Sequence, residues 1–179
     1  MNPGKIVHAP SMDDRRVFRY GPNYDVPDFE TALDWSAWPG AAGGFQGAVE
    51  MCNNNGVCRK LKGGVMCPSF RATRNERDAT RGRANTLRFA ISGQMPGGLT
   101  SDAMADTMKY CVSCKGCRRE CPTGVDMARM KIEVLAARRK GSGLTLAERL
   151  VGCLPRCAEG AAKVGWLMSL RNKNGPIRK

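Results

Sequence analysis

The spacing Cys111-x-x-Cys114-x-x-Cys117-x-x-x-Cys121-Pro122 constrains this 179-residue chain more than any other feature. Thiolates two residues apart on a tight loop can meet adjacent corners of an iron–sulfur cube. The fourth cysteine follows after three residues and precedes a proline, so it leaves the loop in another direction. In two-cluster ferredoxins a cysteine so placed ligates the other cluster. Gly116 lets the loop turn back on itself, and Pro122 withdraws an N–H that would compete for the sulfur. Zinc is the alternative, but it takes four ligands, commonly from two separated pairs. Four cysteines within residues 111–121, ending in Cys-Pro, match that pattern poorly.

A second segment, Cys52-x5-Cys58 and then Cys67-Pro68, reads as a degraded copy of the first. Asn55 stands where the middle thiol of a complete loop would be. Two reciprocal ligand sets follow from the ferredoxin rule. Cys111, Cys114 and Cys117 take Cys67 and hold a 4Fe-4S cluster. Cys52 and Cys58 take Cys121, which gives three thiolates. Three thiolates suit a 3Fe-4S cluster, or a 4Fe-4S cluster with one iron on a non-cysteine ligand. The alternative is a single cube on the compact four, with Cys52, Cys58 and Cys67 as small buried apolar residues. Cys153 and Cys157 lie four apart near the end of the chain with no further partner close in sequence, and read as incidental thiols.

Composition narrows the field further. Nine cysteines without an apolar leader at the start point to metal or redox chemistry in a reducing, cytoplasmic setting. No apolar run is long enough to cross a membrane. There is no phosphate-cradling glycine loop, and the single His8 cannot furnish a Ser–His–Asp set. Nothing marks a site for making or breaking substrate bonds, so the chain reads as a carrier of electrons. The formal charge is +13, with Arg71, Arg74, Arg77, Arg81, Arg83 and Arg88 expected on one helix and Lys115, Arg118 and Arg119 in the cysteine loop. Cations near anionic clusters raise their potential, and a basic surface steers acidic partners. A zinc-binding basic module on nucleic acid is the competing class. With 6% aromatics and no nucleic-acid motif, no nucleic-acid partner is expected.

The expected fold is mainly α, an α-helical ferredoxin-like module with long loops. Residues 1–45, broken by Pro and Gly, form an extended arm, residues 46–140 the iron–sulfur domain, and residues 141–179 a short helix and basic tail. Trp35 and Trp38 either anchor the arm on a partner or close the module's own core. Capping boxes place helix starts at Thr73-x-x-Glu76, Thr123-x-x-Asp126 and Thr145-x-x-Glu148. The first helix runs to Ser92 with Ala84, Leu87 and Ile91 inward, and the second to Lys140 with Val125, Ala128, Ile132 and Leu135 as its apolar stripe. A helix over Asp102–Tyr110 turns Met104 and Met108 to one face, and Pro155 ends the last helix at Leu154.

Several short stretches then carry a resemblance. Asn2-Pro3-Gly4-Lys5-Ile6, Met12-Asp13-Asp14-Arg15, Ala32-Leu33-Asp34-Trp35-Ser36 and Glu50-Met51-Cys52-Asn53-Asn54-Asn55-Gly56 are four of them. Arg81-Gly82-Arg83-Ala84-Asn85 and Cys121-Pro122-Thr123-Gly124-Val125-Asp126-Met127-Ala128 complete the set. Together they resemble the iron–sulfur region of large bacterial FAD-linked D-2-hydroxyacid dehydrogenases, of the D-lactate and D-2-hydroxyglutarate type. The resemblance extends to about residue 157 and implies a fragment or split subunit. FAD would sit on an upstream domain or partner polypeptide, and a further cysteine-rich domain would follow downstream. It implies electron relay from that flavin to a quinone, cytochrome or other acceptor, with peripheral association at the inner face of a membrane as a further expectation. Cys153 and Cys157 are outside the family's ligand pattern.

Overall fold

The computed structural model describes residues 4, 7–18, 20–38, 43–163, 165, 166 and 169. Among them there are helices and turns and no strand, so the fold is mainly α. The helices are α1 Gly44–Glu50, α2 Pro68–Thr73, α3 Thr80–Ile91, α4 Asp102–Lys109, α5 Gly116–Glu120, α6 Met127–Ser142 and α7 Leu146–Lys163. Short 3-10 turns at Arg15–Val17, Val57–Arg59, Glu76–Asp78 and Gly98–Thr100 join them. The chain divides into a unit Met1–Lys140 and a unit Gly141–Lys179.

In the first unit α3 is central. Its inward residues Ala84, Leu87 and Ile91 are buried at the spacing the sequence shows, and it packs on α1 and α4. Met104 and Met108 of α4 are buried as expected. With Met66, Met127 and Met130 they make a methionine-rich core, where flexible thioethers fill gaps between short helices. Gly93, with φ +74, ends α3.

The arm belongs to the chain's own core. Trp35 is 3% exposed and packs against Phe45, with ring centroids 5.0 Å apart. Arg129 stacks 4.6 Å over its ring. The anchor is Glu133 of α6, which is buried. Its carboxylate accepts N–H bonds from Ala32 at 2.9 Å, Leu33 at 2.6 Å and the Trp35 indole at 2.8 Å. Buried groups of this kind must be paired, and here one carboxylate pairs three donors. Asn2, Pro3, Lys5 and Ile6 lie outside the described residues, as do Arg19 and residues 39–42.

Several local expectations are corrected. Thr73 ends α2 instead of opening a long helix; Asn75 caps the following 3-10 turn, and α3 starts at Thr80. The arginines from Arg71 to Arg88 therefore do not share one helix. Asp126, not Thr123, caps α6, its carboxylate accepting from the Arg129 N–H at 3.1 Å. Of the expected stripe Val125 and Ala128 are buried, while Ile132 and Leu135 are exposed at 50% and 45%; Met127, Met130 and Val134 supply the rest of the buried face. Helix α6 passes through Gly141, and Gly143 is the residue with positive φ beyond it.

In the second unit α7 continues through Pro155 to Lys163, because one missing N–H weakens a helix without ending it. Its start is the capping box the sequence shows. The Glu148 carboxylate accepts from the Thr145 N–H at 2.9 Å, and the Thr145 hydroxyl accepts from the Glu148 N–H at 3.3 Å. Arg171, Lys173, Arg178 and Lys179 of the basic tail lie outside the described residues.

The segment Arg81-Gly82-Arg83 shows why it has that form. Arg81 pairs with Glu76 at 2.7 Å. A Cβ on Gly82 would sit 2.1 Å from the Glu76 carbonyl oxygen, so only glycine lets the 3-10 turn lie on α3. Arg83, 2% exposed, donates to the Thr107 carbonyl at 3.0 Å and to the Ser69 hydroxyl at 3.1 Å, with Asp78 at 3.9 Å. Gly82→Ala is expected to cost about 1–3 kcal/mol, as overpacking against backbone does. Gly152→Ala, with open space around its Cβ position, should not destabilise the chain. Urea titration of both variants checks this. Glu133→Gln should cost about 2 kcal/mol and red-shift tryptophan emission as the arm loosens.

Candidate metal centre

The loop after α4 reverses direction through two non-glycine residues with left-handed backbone, Ser113 at φ 54 and Lys115 at φ 58. Cys67, the last residue before α2, is also left-handed, at φ 51. Each such residue costs of order 1 kcal/mol, and strain of this kind concentrates at functional sites. All three line one cavity, together with Cys111, Cys114, Cys117, Thr80 and Arg83. The space free of protein atoms is about 310 Å3, solvent at its mouth included. Among the described residues no three Cys, His, Asp or Glu side chains converge closely enough to share one metal ion. Cys67, Cys111, Cys114 and Cys117 all line this one cavity.

Cys67 is far from the other three in sequence, and α5 brings it to them. The Glu120 carboxylate accepts from the N–H groups of Val65 at 2.6 Å and Met66 at 3.1 Å. Those bonds, Val65 first, hold the Glu120 carboxyl below its usual range. A Cβ on Gly64, itself at φ +63, would lie 2.3 Å from a Glu120 oxygen. A Cβ on Gly116 would lie 3.1 Å from Val65 and 3.3 Å from Met66. Two glycines and one carboxylate thus let α5 dock on the residues just before Cys67.

Hydrogen-bond donors face the sulfurs. The Cys67 thiol is drawn down to about 6, first by the neighbouring Cys58 thiol, against the cost of burial. Its contact with the Thr80 hydroxyl at 2.9 Å, the Thr80 N–H at 3.1 Å and the charge of Arg83 act in the same direction. Cys58 is pushed up by Cys67 and by burial, while the Arg81 amide lowers it. Burial also raises Cys117, opposed by the amides of Met127 and Ala128. Burial works against the Cys121 thiolate too. The Thr123 hydroxyl, the amides of Val125 and Thr123, and the Asn55 side chain outweigh it and hold Cys121 below the ordinary thiol value. The N-terminus of α3 therefore serves Cys58 and Cys67, and the turn into α6 serves Cys117 and Cys121. Amide donors of this kind stabilise bound thiolates and tune what they ligate.

Cys52 and Cys58 are both buried. Arg88, also buried, fixes their segment by donating to the carbonyls of Cys52 at 2.9 Å and Glu50 at 3.0 Å. Asn55 lies beside Cys121, yet its Oδ1 accepts from the Val57 N–H at 3.0 Å. The left-handed residues flanking it are Asn54 at φ 63 and Gly56 at φ 80. Cys153 and Cys157 are exposed on α7. Thr80, Arg83, Arg88 and Glu120 were not singled out from the sequence as site residues. The one local sign was the glycine between two arginines at 81–83.

Comparison with known proteins agrees with this geometry. Residues 48–125 match the family described as a 4Fe-4S dicluster domain. That segment and the thiol-lined cavity support an iron–sulfur electron-transfer role. The chain is also similar to D-2-hydroxyglutarate dehydrogenase of Pseudomonas putida, 25% identical over 160 residues, covering 71% of this chain and 15% of that protein. The resemblance to the iron–sulfur region of such enzymes is thereby borne out. The chain spans about 15% of that relative's length. No solved structure matches. No helix among the described residues is long and apolar enough to cross a membrane.

Gly64→Ala should push Glu120 away and displace Cys67. The expected result is less iron per chain after anaerobic reconstitution and weaker visible absorbance, with helicity by circular dichroism little changed.

Proposed function

We propose that this chain is an α-helical ferredoxin-like module that relays electrons from a flavin dehydrogenase to a downstream acceptor. The observation that carries it is the single cavity lined by Cys67, Cys111, Cys114 and Cys117, the set expected from the reciprocal rule. These four would hold a 4Fe-4S cluster, which when bound takes up and gives out electrons singly. Cys117 and Cys67 present sulfurs already met by backbone amides or the Thr80 hydroxyl, so little reorganisation accompanies ligation. Cys52, Cys58 and Cys121 would hold a second cluster, 3Fe-4S or a 4Fe-4S cluster with one iron on a non-cysteine ligand. Asn55 lies beside Cys121, which supports this grouping, while its nitrogen donates to the Asn53 side-chain oxygen at 2.7 Å and its oxygen accepts from the Val57 N–H.

The sequence resemblance supplies the donor: a domain or subunit carrying FAD that oxidises a D-2-hydroxyacid such as D-lactate or D-2-hydroxyglutarate. The acceptor would be a quinone, a cytochrome or another redox protein, reached in the cytoplasm at the inner face of a membrane. No residue here is assigned an acid or base role.

Three experiments test the reading. Purified holoprotein should not oxidise D-2-hydroxyglutarate unless a flavin donor is added, and should then be reduced. Turnover by the chain alone would overturn the carrier role. Air-oxidised protein should give the near-isotropic electron paramagnetic resonance signal of a three-iron cluster, which Asn55→Cys with added iron should convert to a cubane spectrum. About four irons per chain, with none lost in Cys52→Ser, would show that only one cube is held. Chelation of iron from the unfolded chain should also block refolding, because ligation contributes folding energy in small metallodomains; circular dichroism of the apo-protein reads this out.

A further inference from the structure

Of the four thiols around the cavity, Cys67 and Cys117 are buried, Cys111 is partly covered and Cys114 is exposed. The cavity therefore meets solvent at Cys114. Apolar side chains that a monomer would ordinarily cover stand around that corner. Val112, 69% exposed, lines the same cavity, and Val65, 60% exposed, sits against Gly116. Tyr110, 47% exposed, precedes Cys111. The charges here have one sign. Between residues 109 and 119 stand Lys109, Lys115, Arg118 and Arg119, all exposed, and no carboxylate. Of the carboxylates near this stretch, Glu120 is engaged by the amides of Val65 and Met66 and Asp126 by the cap of α6, with Arg118 at 3.6 Å, while Asp106 on α4 is exposed beside Lys109 in sequence.

We infer that the face around Cys114 is the docking surface through which electrons pass between this chain and a redox partner whose contact face is acidic. The inference rests on the iron–sulfur reading above and adds where the partner sits and what charge it carries. An apolar centre excludes water from the shortest route to the cavity, and a rim of cations steers an anionic face toward it. Polyanions such as RNA would also be drawn to the cations, but the apolar residues and the exposed thiol lie at the patch's centre, where a nucleic acid has no use for them.

The probe is flavodoxin, an acidic redox protein. Fully reduced flavodoxin gives one electron to the oxidised holoprotein, followed by stopped-flow absorbance. Zero-length carbodiimide cross-linking, mapped by mass spectrometry, reads the contact independently of turnover. The expected results are a rate that falls as salt rises, a cross-link from Lys115 or Lys109 to a flavodoxin carboxylate, and a loss of about tenfold or more in rate in the Lys115→Glu, Arg119→Glu double variant. Lys60→Glu, Lys62→Glu serves as a charge-matched control and should retain a larger rate. Iron content and visible absorbance of each variant establish that the clusters are intact. A salt-independent rate, or equal losses in both double variants with iron retained, overturns the inference. So does loss of binding to single-stranded RNA with an unchanged flavodoxin rate. Failure of the unmutated holoprotein to be reduced by dithionite would instead overturn the iron–sulfur reading beneath it.

Discussion

The Glu120 carboxylate holds the amides of Val65 and Met66, and the arrangement of the cavity depends on that contact. It is a bond between two segments with no local reason to meet. One belongs to the second cysteine loop, the other lies just ahead of Cys67-Pro68. That bond works with Thr80, which bonds the Cys67 sulfur, and with Arg83, which ties Ser69 to the Thr107 carbonyl, to keep Cys67 opposite Cys111, Cys114 and Cys117. Of the two glycines at the contact, Gly116 leaves room for the backbone of Val65 and Met66, and Gly64, at φ +63, leaves room for the Glu120 carboxylate. Backbone proximity thus brings thiols from distant segments to one cavity.

Positive charge has two separate uses in this molecule. Arg83 and Arg88 are buried and structural. Arg83 ties α3 to the Thr107 carbonyl and the Ser69 hydroxyl, and Arg88 ties it to the Cys52 segment and to the Tyr20 hydroxyl at 2.8 Å. Their planar forks reach several carbonyls at once, which lysine could not do. Arg83 also faces the cavity, so its charge acts on whatever anionic group is held there. The exposed cations on the 109–119 loop act outward. The net +13 therefore hides a division between internal clamps and a steering surface.

The two cysteine segments share a device despite their unequal spacing. Each is followed by a helix or turn whose first N–H groups face its sulfurs: Thr80 and Arg81 for the first, residues 123–128 for the second. Helix N-termini favour anions, so both are pre-set for thiolate. The unequal loops arise because Asn55 replaces a thiol and the loop to Cys67 is longer.

The sequence by itself pointed to thiol-based iron–sulfur chemistry, a mainly α fold and the longer helices, but not to the short helices α1, α2 and α5. Thiol spacing follows from local loop geometry, so Cys111, Cys114, Cys117 and Cys121 could be read directly. Helical periodicity gave the inward faces of α3 and α4 for the same reason. What it missed depends on contacts between distant residues. Glu133 could not be read as the anchor of the arm, nor Glu120 as the clasp on Cys67, because a carboxylate in a helix pattern looks solvated until its partners are known. The start of α6 moved because Asp126 takes the cap from Thr123, and Ile132 and Leu135 face outward because the core packs on Met127, Met130 and Val134 instead. Only the tertiary structure decided which arginines are buried and which cysteine opens to solvent, because burial is a property of packing and not of any single residue's chemistry.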